Sequence, residues 1–124
     1  MLEALQAMGS VVFDPYLLLL IFATTIIGVI IGVLPGIGAT TGAALLLPFT
    51  LTMNPVHAIT VLATIYVSAT FAGSITAILI NTPGTSAAAA TTFDGFPLAQ
   101  RGEAGRALGI AVVSSTVGGI FSVI

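Results

Sequence analysis

The feature that most limits what this chain can fold into is a gap in its charge. Between Asp14 and Asp94 there is no Asp, Glu, Lys or Arg, and the only titratable side chains in that interval are Tyr16, His57 and Tyr66. A water-facing surface cannot be built from such a stretch, because soluble domains carry about 25% charged residues. A bilayer favours the same stretch, since charged side chains are what its interior excludes. The whole chain of 124 residues is 57% hydrophobic and 5% charged. The sequence therefore predicts an all-α, multi-spanning membrane protein.

The composition also removes several function classes. Net charge is −2 with no basic run, so nucleic-acid binding has no electrostatic basis. Cysteine is absent, which excludes a disulfide framework and a thiolate metal site. One histidine without a carboxylate close in sequence predicts no metal centre. No carboxylate pair is placed for acid–base work. Ser74 follows Gly73 but has no nucleophile elbow around it, and His57 is distant in sequence. An enzyme is not expected. A cleaved signal peptide would need a positively charged leader, and residues 1–14 hold only Glu3 and Asp14, so the first apolar run reads as a retained helix.

The organisation follows from breaks in the apolar runs. Leu2, Leu5 and Met8 recur at three-residue spacing, which suits an interfacial segment over residues 1–14. Asp14-Pro15 reads as an N-cap followed by proline at the first helical position, opening a spanning helix over 15–34. Leu34-Pro35-Gly36-Ile37-Gly38 breaks it, because proline removes a backbone donor and glycine permits non-helical conformations. Residues 35–53, interrupted at Pro48 and closed by the Asn54-Pro55 turn, read as a broken or re-entrant segment. A second span covers 56–80. Asn81-Thr82-Pro83-Gly84 ends it, and 81–93 is a second broken segment rich in small residues. Phe93 to Pro97 reads as a turn within a polar loop, 94–106, that holds Arg101 and Arg106. The positive-inside rule puts this loop on the cytoplasmic side. Residues 107–124 are apolar and end without a polar flank. Crossing takes about 20 apolar residues, so this span reads as cut short and the chain as an N-terminal fragment.

Pro35-Gly36 and Pro83-Gly84 each follow a long apolar helix and precede a run of Gly, Ala, Ser and Thr. Unpaired backbone groups in hydrocarbon cost several kcal/mol, so irregular backbone survives only against protein or a water-filled cavity. Transporters use this arrangement, with half-helix N-termini facing an anionic ligand. Small side chains let a carboxylate approach the amides closely. Gly36, Gly38, Ala39 and Thr40 are then one candidate half-site, beside Pro35, and Gly84, Thr85 and Ser86, beside Pro83, are the other. Asn81, Thr82 and Thr85 add hydrogen-bonding side chains, or oxygens for a coupling cation. The plainer alternative is packing: Gly28, Gly32 and Gly36 recur every four residues, as do Gly38 and Gly42, the spacing by which membrane helices approach closely. That reading is favoured for Gly28 and Gly32. Tyr66, Thr70 and Ser74 share one face of the second span, which predicts that this face points inward, although Ser and Thr often bond their own helix. Asp94 is explained by hydrogen bonding within a turn. His57 reads as a histidine at a helix start, and the arginines as cytoplasmic anchors.

The motifs Gly32-Val-Leu-Pro-Gly-Ile-Gly38, Leu46-Leu-Pro48, Ile65-Tyr66, Gly73-Ser-Ile-Thr-Ala-Ile-Leu-Ile-Asn-Thr-Pro-Gly84, Asp94-Gly-Phe-Pro-Leu-Ala-Gln-Arg-Gly102 and Ala104-Gly-Arg-Ala-Leu108 occur in this order. Together they resemble the large membrane subunit of tripartite tricarboxylate transporters, over nearly the whole chain from Pro15 onward. The resemblance implies a secondary uptake system of the bacterial inner membrane. In it, a periplasmic solute-binding protein delivers a small carboxylate to a large and a small membrane subunit. An ion gradient, of Na+ or H+, drives import, and no other cofactor is implied. The family's large subunit is several-fold longer than this chain and is expected to be an inverted-repeat transporter. Its Pro-Gly segments match Pro35-Gly36 and Pro83-Gly84. Phe71-Ala72-Gly73-Ser74 departs from the family's Tyr-Gly-Gly-Ser, which loosens any requirement for glycine at Ala72. Substrates vary across the family, so citrate does not follow. The competing expectation is a membrane subunit whose Pro-Gly breaks serve packing and assembly without transport.

Overall fold

Asp14 and Asn54 set where the two central helices begin. The Asp14 carboxylate accepts the N–H of Tyr16 at 3.0 Å, and the Asn54 side-chain oxygen accepts that of Val56 at 3.1 Å. In both cases proline occupies the next position, where its missing N–H costs nothing. The computed structural model describes all residues 1–124 and is wholly helical. It comprises α1 (Leu2–Val12), α2 (Pro15–Val33), α3 (Gly38–Thr50), α4 (Pro55–Ile80), a 3-10 helix (Ser86–Ala90), α5 (Thr91–Gln100) and α6 (Ala104–Val123). Three of these, α2, α4 and α6, are long and apolar enough to cross a membrane.

Helices α2 and α4 run parallel. Their starts meet where His57 Nε2 lies 4.0 Å from Asp14 Oδ2, with the Tyr16 and His57 rings 5.2 Å apart. Farther along, Gly28 meets Ser68 and Gly32 meets Ala69. A Cβ on Gly28 would overlap the Ser68 hydroxyl, and one on Gly32 would lie 2.6 Å from the Cα of Ala69. Backbone-to-backbone approach of this kind needs small residues. The interior follows suit: Ala39, Ala69, Ala72, Ala77, Ala88 and Ala107 are buried, while Leu18, Leu19, Phe22, Ile26 and Ile30 are exposed. Leu17, Val61, Ile65 and Ile78 fill the remaining interior, and an interior dominated by small residues beneath a large apolar exterior is the arrangement a lipid surrounding selects.

Because α2 and α4 are parallel, the chain between them has to return from the end of one to the start of the other. Helix α3 makes that return, packed on both, with Gly42 against the Ile31 side chain. Pro48 does not interrupt α3 as expected; it lies inside the helix. The carbonyl left without its helical donor is that of Ala44, an exposed residue, which makes the loss tolerable.

After α4 the chain doubles back. Asn81 takes the left-handed conformation, φ 56°, and the Thr82 N–H returns to the Thr76 carbonyl at 3.3 Å. The Gly84 N–H then reaches the Gly73 carbonyl at 3.2 Å, two turns back along α4. Ala87 and Ala88 of the 3-10 helix lie farther back still, beside Tyr66, Thr70 and Ser74. Helix α5 reverses course, placing Gly95 against Ile78, with Leu98 beyond it. Residues 81–100 are thus a hairpin that descends along α4 and climbs out again.

This corrects two expectations. The turn at Phe93 to Pro97 and the start of the 94–106 polar loop are helical, within α5. Pro97 deprives the carbonyl of Phe93, a residue 79% exposed, so no buried acceptor is orphaned. Gly95 is there for space: a Cβ would lie 2.6 Å from Ile78 Cγ1. The polar turn is short. Gly102, φ 81°, closes α5 as its N–H bonds the Ala99 carbonyl and that of Glu103 bonds Leu98, both at 3.0 Å.

Candidate functional site

The first break is open. Pro35, Gly36 and Thr40 are exposed, Gly38 is half-buried and Ala39 is buried. Gly36 and Gly38 have φ 90° and 71°, a region costly for any residue with a Cβ. With Pro35 unable to donate, the Leu34 N–H closes onto the Ile31 carbonyl at 3.1 Å, and the Ile37 N–H onto Leu34 at 3.3 Å. Helix α3 then starts at Gly38 with Ile37 in the capping position, so no side chain accepts from its first-turn amides. In this respect it differs from α2 and α4. Helices α1, α5 and α6 also lack a side-chain cap, but α1 has Glu3 in its first turn, α5 continues directly from the 3-10 helix and α6 begins in the charged Arg101 to Arg106 stretch.

The second break is packed. Gly84 is buried; a Cβ there would lie 2.8 Å from the Gly73 Cα and would overlap the carbonyl oxygen of Gly32. Gly32 precedes Pro35 by three residues, so the two Pro-Gly segments stand at the same end of the α2–α4 pair. They do not face each other as matched half-sites, because a Cβ on Gly36 or Gly38 would meet nothing within 4 Å. Several candidate side chains are already engaged. Thr85 Oγ1 accepts the Ala88 N–H at 3.3 Å, capping the 3-10 helix, and the Thr82 hydroxyl donates to the Ile80 carbonyl at 3.3 Å. Asn81, Thr82 and Ser86 are exposed, whereas Pro83 and Thr85 are half-buried. Gly28 and Gly32 pack, as their spacing predicts.

A third feature was not read from the sequence. The hairpin, α4 and α6 enclose a groove of about 380 Å³ lined by Ser74, Thr91, Asp94, Ser114 and Ser115 among apolar residues. A neighbouring groove of about 320 Å³ shares Ser74 and Ser115 and adds Tyr66 and Thr70. The face carrying Tyr66, Thr70 and Ser74 therefore turns toward the hairpin and α6. The opposite face, with Ile65, Ser68 and Ala69, meets α2, while Gly73 meets Thr85 and Gly84 at the start of the hairpin. The signal for the first face was its four-residue spacing; Ser114 and Ser115 carried none, being contributed by a helix distant in sequence. Both arginines lie outside the grooves, and Arg106 pairs with Glu103 at 3.3 Å.

Comparison with known proteins agrees with the motifs. The model of the tripartite tricarboxylate transporter TctA family matches residues 18–124. An Agrobacterium vitis protein, described as an uncharacterised 52.8 kDa protein in the TAR-I ttuC′ 3′ region, is 47% identical over 98 residues. That alignment covers 79% of this chain and 20% of the relative, so the chain spans about a fifth of that protein's length. No solved structure matches.

Proposed function

The chain belongs to the tripartite tricarboxylate transporter TctA family, and on that premise we propose that it forms part of the carboxylate path of a bacterial inner-membrane importer. The family is one of transporters, which sets enzyme chemistry aside in favour of transport. In our reading the chain works with a small membrane subunit and a periplasmic solute-binding protein, and an ion gradient drives import as a symport.

The observation that carries this reading is the uncapped start of α3. Its first amides, at Gly38, Ala39 and Thr40, follow a Pro-Gly break and have no side-chain acceptor. An anion fits such a position, because helix N-termini present free N–H groups and a partial positive charge. No lysine or arginine lies between Pro15 and Phe93, so backbone amides, helped by neutral hydroxyl and amide side chains, are the means this region has of holding a carboxylate. In this proposal Pro35, Gly36, Gly38 and Thr40 form the contact side. Asn81, Thr82, Pro83, Gly84, Thr85 and Ser86 hold the second break against the end of α2, with the exposed Asn81, Thr82 and Ser86 facing the path.

The test is uptake of labelled di- and tricarboxylates by cells carrying the complete transporter and its partner proteins. Substituting Gly84 would be ambiguous, since any side chain there collides with α2 and α4. Thr40→Leu and Ser86→Leu are better, because both positions are exposed and neither hydroxyl makes a hydrogen bond within the chain. Losing one hydrogen bond to a charged group costs about 1.5–3 kcal/mol, so Thr40→Leu is expected to cut uptake by about ten- to a hundredfold at matched membrane levels. Uptake that survives both substitutions would assign the breaks to packing and assembly.

A further inference from the structure

We propose that the groove between α4, α5 and α6 binds a monovalent metal cation, Na+ being the ion of matching chemistry. The ligands are the Asp94 carboxylate and the hydroxyls of Ser74, Thr91, Ser114 and Ser115. The binding stands on the groove alone; its role as the coupling step of import rests on the transport reading above.

Three observations meet here. First, the polar side chains lining the groove are all oxygen bearers, with no Lys, Arg or His among them. Hard cations select oxygen ligands. Second, these hydroxyls are uncommitted. Most serines and threonines of the chain donate to their own helix, as Ser68 does to Thr64 at 2.7 Å, Thr70 to Tyr66 at 2.7 Å and Thr116 to Val112 at 2.8 Å. Ser74, Thr91, Ser114 and Ser115 make no such bond, although they come from three different helices and converge on one groove.

Third, Asp94 lacks a partner. It is not the turn residue its neighbours Gly95 and Pro97 suggest, but a member of α5. Its carboxylate accepts no hydrogen bond and forms no ion pair, while Arg106 is held by Glu103. Asp94, Ser114 and Ser115 are exposed along the open side of the groove, so the unpaired carboxylate is available to an ion entering it. A single carboxylate balances a single positive charge. A divalent ion would draw further acids, and no cluster of three or more metal-ligating His, Cys, Asp or Glu residues exists in the chain. The same negative charge repels a carboxylate substrate, so this groove and the start of α3 suit opposite ions. Ser74 lies six residues before the end of α4 at Ile80, a depth of about 9 Å at the helical rise of 1.5 Å per residue.

Equilibrium binding of ²²Na+ to the purified complete membrane protein, with no carboxylate present, tests this. The expected result is saturable binding whose affinity falls at least tenfold in Asp94→Asn and severalfold in Ser74→Ala and Ser114→Ala. Asp94→Glu should retain part of it. Glu103→Gln removes a charge of the same sign outside the groove and should bind as the unsubstituted protein does. Thermal melting of each variant in detergent identifies any that fail to fold, and the two serine variants then carry the test. Absence of saturable ²²Na+ binding overturns the proposal, as does equal binding by Asp94→Asn and Glu103→Gln. The two readings fail separately: Thr40→Leu should cut carboxylate uptake by about ten- to a hundredfold while leaving ²²Na+ binding intact. An intact Thr40→Leu uptake beside a lost Asp94→Asn site would sink the first reading and keep the second.

Discussion

Gly32 and Gly105 are the same residue type in two apolar helices, yet they do different work. A Cβ at Gly32 strikes the Ala69 backbone, whereas one at Gly105 meets nothing within 4 Å. Gly32→Ala should therefore force α2 and α4 apart at a cost of about 1–3 kcal/mol. Gly105→Ala should be neutral or stabilising by up to about 1 kcal/mol, since alanine is the better helix former. Thermal unfolding in detergent measures both, and equal shifts would refute the close seam. Asn81 offers a second contrast at this scale. Its φ of 56° predicts that Asn81→Gly leaves the melting temperature unchanged while Asn81→Ala lowers it by about 1 kcal/mol equivalent. Much of this was legible in the sequence where the signal is local. Asp14 and Asn54 were recognisable as caps, and the four-residue spacing of Gly28 and Gly32 identified a packing edge. What lay across that edge was not legible, because Ser68 and Ala69 are brought there by the fold. Asp94 was misread for a related reason: Gly95 and Pro97 are strong turn signals, and only the burial of Gly95 against Ile78 explains why glycine sits in a helix.

At the scale of elements, the hairpin of residues 81–100 is the part the sequence described least well. Its descending arm was recognisable from Pro83-Gly84 as broken backbone. Its ascending arm, α5, reads as loop in the sequence, since proline and glycine outweigh ten residues of weak helical pattern. The arrangement has a direct test, aided by the absence of cysteine from these 124 residues. Single cysteines at Asn81 and Gln100, both exposed, should react with a membrane-impermeant thiol reagent from the same face. A cysteine at Leu51, which is 79% exposed beside the start of α4, should react from the opposite face. Labelling of positions 81 and 100 from opposite sides would show that the segment crosses instead of returning.

For the whole molecule, the missing charge between Asp14 and Asp94 was enough to establish an all-helical membrane protein, because solvent and lipid select surfaces so differently. It could not reveal that α2 and α4 run parallel, which depends on where the small residues meet. Arg101 and Arg106 lie at the end of the bundle where α4 finishes, and both Pro-Gly breaks stand in that half of it, about two helical turns in at the level of Gly73. The positive-inside rule then predicts that the Gln100 cysteine is labelled from the cytoplasmic face in oriented vesicles and the Leu51 cysteine from the periplasmic face. The reverse pattern would invert the assignment of the breaks to the cytoplasmic end. The doubled-back hairpin also has a bearing on the parity of the chain. Its two arms sum to no net passage, so α4 and α6 point in opposite directions even though a second break, some twenty residues and another short helix lie between them. A change that let the hairpin go straight through would leave every local helix intact and turn all that follows inside out.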